Sequence, residues 1–345
     1  MKKILLTLSL FGIMASTAFT LPKLLKRETI KVYDIENVDI NLSWEDVLVE
    51  ECDDDDEIII EVYCNKEKFA PKVKTRDTTL MVQSNTKSSS AFEKKVCTVI
   101  AKFPPNAKFE KFHMSTTSGE IKTEVVINCN KLTSSTTSGS QSINQEAFAQ
   151  DAKFNSTSGS IFVDEVFAEN LKLSATSGSV KVNSFDSKTC SIEATSGSLK
   201  IKDAKADKLK MQTSSGSIAL EGQVSEAFDI SATSGSVGIE LEDAPADNSR
   251  VYTTSGSIFI ALPGRADFSL FVQTTSGPFV NSLTKEKILD HVNYTTDINN
   301  GGATIILSAT SGRITVDSND GVTAKVNEPA IDPEIPVVSF DDPIF

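Results

Sequence analysis

Histidine and tryptophan are almost missing from this chain. Two His and one Trp stand in 345 residues, and none of the five cysteines (Cys52, Cys64, Cys97, Cys129, Cys190) belongs to a Cys-x-x-Cys pair. That scarcity excludes a Cys/His zinc site, and no cofactor motif takes its place. Basic charge is also short: 34 Lys and Arg against 47 Asp and Glu leave a net −13. Nucleic-acid binding relies on dense Lys and Arg, so no nucleic-acid partner is expected. The imbalance suits an exported protein that repels its own copies. An odd set of widely spaced cysteines predicts buried free thiols rather than a disulfide framework. If "DDDD" at 53–56 turns a hairpin, Cys52 faces Glu57 and not Cys64.

The first twenty residues read as an export signal. Lys2 and Lys3 precede the apolar "ILLTLSLFGIM", and "ASTA" offers small residues for cleavage near Ala18. An uncleaved anchor is the alternative, because apolar character runs on to Leu21. No Cys follows that stretch to carry a lipid. Either way, the body of the protein is expected outside the cytoplasm: secreted, periplasmic or at the cell surface.

What the chain has in abundance is one short motif. A Thr-Ser-Gly or close variant ends at Gly119, Gly139, Gly159, Gly178, Gly197, Gly216, Gly235, Gly256, Gly277 and Gly312, at intervals of 20, 20, 19, 19, 19, 19, 21, 21 and 35. A fixed short period marks a solenoid or array. Two and four residues after the Gly stand apolar pairs such as Ile161 and Val163, Val180 and Val182, Leu199 and Ile201. The residue between them varies: Phe162, Lys181, Lys200. Five and seven residues before the Gly stand Leu173 and Leu171, Met211 and Leu209, Ile230 and Phe228. Both runs have the period of two of a half-buried strand, which excludes helical repeats.

The two runs are out of phase across the Ser-Gly step, so the chain must bend there. An unusual Gly dihedral is the expected device. The all-β fold predicted is a β-solenoid with coils of about 20 residues and Thr-Ser-Gly at the corners, stacked at about 4.8 Å into a rod of roughly 45 to 50 Å. The parallel-crossover rule makes it right-handed. A β-propeller would need blades of about 40 residues. Residues 28–110 keep strands without the motif and are expected to form irregular coils closing one end. Residues 111–318 carry the regular repeats. Within them 279–304 interrupts the period, and "LTKEKILDHV" there is expected to form a short helix. "KSSSAFEKK" at 87–95 reads as a surface loop, and the Pro-containing tail 319–345 as extended or disordered.

This layout resembles the bacterial putative-adhesin family of β-strand-repeat domains of unknown function. The likeness rests on "STSGSIFV", "ATSGSVKV", "ATSGSLKI" and "TTSGSIFIALP", with "FPPNAKFEKFHMSTTSG" before the repeats and "GGATIILSATSGRITV" closing them. It covers about 290 residues, from near 30 to 318. The resemblance implies an exported β-solenoid at the cell envelope, and some relatives are associated with envelope-stress responses. It supplies no catalytic or binding residue.

Candidate sites are therefore read from facing alone. Outward positions six before the Gly hold Lys153, Lys172, Lys210 and Arg250, a basic stripe able to touch an anionic glycan or a lipid headgroup. Lys122, Lys181 and Lys200 stand outward after the Gly. The bland reading is that lysine merely keeps a sheet surface soluble. Tyr252, Phe259 and Phe271 should also face outward, unless the 279–304 insertion folds over them. The Thr column two before the Gly reads as a hydroxyl ladder bonding the corner backbone. His113 and His291 have no evident partner, and no carboxylate pair such as Glu193 with Asp229 lies in one column. Three functions remain: an adhesin-like or scaffolding binder of an envelope glycan, lipid headgroup or surface protein; a polysaccharide-active enzyme; or a structural, stress-linked envelope component. Self-association through the rod ends is a further expectation.

Overall fold

The computed structural model describes residues 22–85 and 95–323. The export signal, nearly all of the 87–95 loop and the tail from 324 lie outside the described residues. Strands occupy most of the described chain, 24 in all and joined in one sheet. The helical elements among the described residues are two single 3-10 turns, Val32–Asp34 and Glu67–Phe69.

The repeats form a β-solenoid. Ile161–Ala175 lies parallel between Gln141–Ser156 and Val180–Ala194, with Leu171 opposite Ala152 on one side and Cys190 on the other. The same register continues through Leu199–Thr213 and Ile218–Ala232. Equivalent repeat positions therefore stack in columns about 4.8 Å apart.

Each coil has three sides. Between Gly159 and Gly178 the buried residues are Ile161 and Val163, then Val166 and Ala168, then Leu171, Leu173 and Ala175. Two adjacent residues turn away from the core at each change of side: Asp164–Glu165, Glu169–Asn170 and Thr176–Ser177. Strict alternation around an odd 19-residue coil would turn the next coil inside out. An odd number of phase slips restores it, and three slips make three corners. The Thr-Ser-Gly corner is the one that the spacing around Gly reveals.

The corner glycines serve a different end from the one expected. None from Gly119 to Gly256 has a positive φ; among the corner set only Gly277 and Gly312 do. Their column is instead too tight for a side chain. A methyl group on Gly197 would stand 1.9 Å from the Gly178 carbonyl oxygen, and one on Gly178 1.9 Å from that of Gly159. From Gly139 to Gly256 each corner glycine rests on the peptide of the glycine one coil away, and Gly119 rests on that of Glu45.

The Thr column is exposed, and the backbone carries that corner: the Ser177 N–H donates to the Thr157 carbonyl at 2.8 Å and the Ser196 N–H to Thr176 at 2.9 Å. Hydroxyls that do bond the corner sit one residue earlier and point inward. Thr213 Oγ1 accepts from the Gly216 N–H at 3.1 Å and donates to the Gly197 carbonyl at 3.1 Å.

At both ends, order in space departs from order in the chain. Asn37–Asn41 and Asp46–Glu51 form a coil lying between Thr79–Gln83 with Cys97–Phe103 on one side and Lys108–Thr116 with Ile121–Thr123 on the other. At the far end, Ala303–Ser311 lies between Ser249–Thr253 and Phe268–Ser276, and Ile314–Ser318 between Ile258–Leu262 and Phe279–Asn281. Each outermost coil is covered by antiparallel strands: Lys72–Arg76 and Glu57–Cys64 at one end, Asn293–Ile298 and Glu286–Ile288 at the other.

Three sequence expectations are corrected here: the short helix, the hairpin at the Asp run, and free thiols at Cys64 and Cys97. The segment expected to be helical forms half of a hairpin, with turns at Lys285 and His291 where φ is 61° and 50°. The open edge of the outermost coil supplies backbone partners that an isolated ten-residue helix lacks. The "DDDD" run turns no hairpin, because Asp46–Glu51 and Glu57–Cys64 flank opposite sides of Cys97–Phe103. That arrangement sets Cys64 opposite Cys97, and the two form a disulfide with Cα atoms 4.1 Å apart. Cys52, Cys129 and Cys190 are free.

Candidate binding groove

The strand register brings two outward columns side by side on the face that precedes the Thr-Ser-Gly corner. One runs Thr133, Lys153, Lys172, Ser191, Lys210, Asp229, Arg250. The other, two residues earlier in each coil, runs Lys131, Asp151, Asn170, Thr189, Lys208. Between them lies a groove of about 610 Å³ over the buried Leu132, Leu171 and Cys190. Five lysines line it: Lys131, Lys153, Lys172, Lys208 and Lys210.

Their partners are few. Lys172 Nζ is 4.0 Å from Glu193 and Lys208 Nζ 3.7 Å from Glu226, both on exposed side chains. Lys131, Lys153 and Lys210 make no ion pair among the described residues. Two carboxylates line the groove beside the lysines, Glu193 and Asp151. Asp151 accepts from the Asn170 amide at 2.8 Å, and Asn170 in turn accepts from the Thr189 hydroxyl at 2.8 Å. Cys190, in the floor, is a buried thiol whose pKa is raised by desolvation; Cys129 is pushed up to about 12 for the same reason. Both therefore stay protonated and lack thiolate character.

Arg250 does not join the stripe. It is 6% exposed, and its guanidinium lies 3.3 Å from Asp229 on the adjoining coil. Sequence phase set it outward correctly, but the neighbouring coils cover it, with Ile306 opposite on its other side. Lys122, Lys181 and Lys200 occupy a separate face after the corner, in one column with Ser142 and Phe162.

The three aromatics expected outward lie in three different columns. Tyr252 is half-buried, and hydrogen bonds with Thr254 and Thr310 hold its phenol below the usual value. Phe271 is half-buried between Ile306 and Thr295. Phe259 is 45% exposed. The insertion therefore leaves Phe259 open, and the three make no common platform. A pair that the sequence reading missed does meet: Phe148 and Phe167 stack on the middle side at 4.8 Å and 5°. Each covers one face of the other. Lys131 and Lys208 were missed too. Both stand eight residues before their Gly, on a stretch the two-strand pattern leaves unassigned.

His113 lies 4.0 Å from Asp39, and His291 Nδ1 3.0 Å from Asp290, so each histidine has a carboxylate partner after all. The two pairs are in separate parts of the solenoid, on strand Lys108–Thr116 and after Glu286–Ile288. Among the described residues, no group of three or more His, Cys, Asp or Glu could hold a metal ion. No helix among them is long and apolar enough to cross a membrane.

No curated protein matches the chain. Solved structures do. A protein of Parabacteroides distasonis described as a "putative lipid binding protein" is similar with a TM-score of 0.51 and 17% identity, over 68% of this chain and 96% of that one. A "putative adhesin" of Parabacteroides merdae is similar at 0.48 and 11%, over 68% and 95%. Another, of Bacteroides fragilis, is similar at 0.40 and 12%, over 85% and 96%. The sequence pattern of one family fits residues 35–244 and again 187–317. Together with the stacked coils, that match places the chain in the Toastrack DUF4097 family.

Proposed function

We propose that this chain is an exported, non-catalytic binding solenoid of the cell envelope whose lysine groove holds an anionic ligand. One observation carries the reading: five lysines converge on one groove of a chain whose net charge is −13. Local positive potential against a negative background attracts an anion while the rest of the surface repels bulk polyanions. The Cys64–Cys97 disulfide fits an oxidising compartment, in keeping with the apolar leader. The words "lipid binding" and "adhesin" given to the structural neighbours agree with a binding role. The groove's one thiol, Cys190, stays protonated, and its carboxylates Asp151 and Glu193 stand in different columns two coils apart, which supports binding over catalysis.

The test is a glycan and envelope-component array probed with purified chain that retains Lys23–Lys31. A variant carrying Lys153→Glu, Lys172→Glu and Lys210→Glu is run beside it. Saturable binding to anionic components, lost in the variant and without product release, is the expected result. Release of product from any glycan would overturn the non-catalytic reading. An array equally blank for both would remove the groove as a site and shift weight to a structural envelope role.

A further inference from the structure

We infer that the groove's ligand is a linear acidic glycan lying along the solenoid axis, roughly one sugar to a coil. This rests on the anionic-ligand reading above and narrows it. A site for a single anion gathers its donors around one point. Here the lysines are strung out instead: Lys131 on one coil, Lys153 and Lys172 on the next two, Lys208 and Lys210 two coils beyond. Lys131 and Lys208 are four coil steps apart, about 19 Å at the spacing of stacked strands. The coil between Lys172 and Lys210 contributes the short, neutral Thr189 and Ser191 and, beside Lys172 at 4.0 Å, the carboxylate of Glu193. The run of lysines is interrupted there by two hydroxyls that donate to Asn170 and Glu193 and keep lone pairs to accept from a sugar's own hydroxyls.

Charge density separates the candidate polymers. Five lysines over about 19 Å give one positive charge per roughly 4 to 5 Å. A polymer with about one carboxylate per sugar advances by a closely similar step. Duplex nucleic acid carries one charge per about 1.7 Å, which the groove cannot neutralise and the net charge of −13 opposes. The groove also has an end. Beyond Lys210 the same column continues with Asp229, which is paired with the buried Arg250 at 3.3 Å. A longer chain meets a carboxylate there, so affinity should stop rising once the glycan spans the lysines.

The experiment titrates the purified chain with linear oligogalacturonates of increasing length, from the monomer to about twelve sugars, at fixed salt. Affinity should rise at least about tenfold between two and five sugars and then level off. The variant Lys153→Gln, Lys172→Gln, Lys210→Gln should lose that rise while keeping the wild-type melting temperature. Equal affinity for monomer and hexamer would overturn the axial polymer and leave a single-anion site standing. Binding confined to phosphatidylglycerol vesicles would overturn the glycan and leave an anionic ligand. Equal binding of a neutral oligosaccharide of matched length would overturn both the inference and the reading beneath it, as would binding to no anion.

Discussion

Between Gly139 and Gly256 the chain stacks its coils in the order in which they are written; at the two ends it does not. The first coil, residues 37–51, ends up beneath a coil made later, and the last, residues 303–318, slides between two made earlier. Neither is outermost. The difference shows what a solenoid end has to do. A middle coil has a neighbour on each side, and every backbone donor finds a partner one period away. The outermost coil has one free edge, which invites pairing with another chain. Here each outermost coil carries its own antiparallel cover, and the coil nearest the terminus is used as an internal filler.

The comparison predicts its largest effect on truncation. Excising residues 179–197 removes one coil of 19 residues and brings matching edges together, because neighbouring coils share their register. Nearest-neighbour stability in repeat proteins makes that change mild, and the excised chain should remain soluble with a melting temperature within a few degrees of the parent. Ending the chain before residue 303 removes the filler and strips both Ser249–Thr253 and Phe268–Ser276 of a partner. That chain should lose the outermost coil altogether and aggregate. If calorimetry and light scattering find the two deletions equally harmful, the filler role is wrong.

Next in size is a glycine contrast within the middle. Gly197→Ala sets a methyl 1.9 Å from a carbonyl oxygen of the coil beside it, so the coils must part; a loss of about 4 kcal/mol or more is expected. Gly238 stands in an outward column, where an added methyl would meet nothing nearer than the Ile218 carbonyl oxygen at 3.9 Å. Gly238→Ala should change stability by less than about 1 kcal/mol and in the stabilising direction, since it restricts the unfolded chain. Denaturant titration of both variants checks this. Equal losses would mean that contact within the glycine column is not what the corner requires.

Much of the middle was legible because two of its three sides keep apolar residues at fixed distances from the Gly. The third side keeps its inward residues at a fixed distance too, but varies their size. One inward column there runs Ala147, Val166, Phe185, Ala204, with the large Phe185 accommodated by smaller residues in the coils on either side. Volume is balanced between coils rather than repeated at a position, so the pattern is lost in one dimension. Lys131 and Lys208 went unseen for a related reason: their strand belongs to the stretch before Leu132 and Leu209, where no apolar pair had been recognised. Lys153, Lys172 and Lys210 were legible from facing alone. Arg250 has the same facing but a carboxylate on the adjoining coil, which a one-dimensional phase does not reveal. The 35-residue interval recorded that the far end is interrupted, yet only strand pairing shows that the chain turns back on itself.

The smallest of the three effects sharpens the comparison at the opposite end. The Cys64–Cys97 disulfide ties the covering strand Glu57–Cys64 to the outermost coil strand Cys97–Phe103, and it closes a loop of sequence separation 33. In the chain-entropy account such a loop contributes about 3 to 4 kcal/mol. Because coils communicate only with their neighbours, that loss should stay near the end where it occurs. Reduction, or Cys64→Ala with Cys97→Ala, should speed hydrogen exchange at Ile58, Ile60 and Val62 and leave Val180 and Val182 unchanged. The lysine groove is built from coils beyond that end, so binding of an acidic oligosaccharide should survive reduction within about twofold. Exchange rising equally at Val180 would show that end and middle open as one unit. The rod would then be a single cooperative body, and the covered end would protect the groove as well as itself.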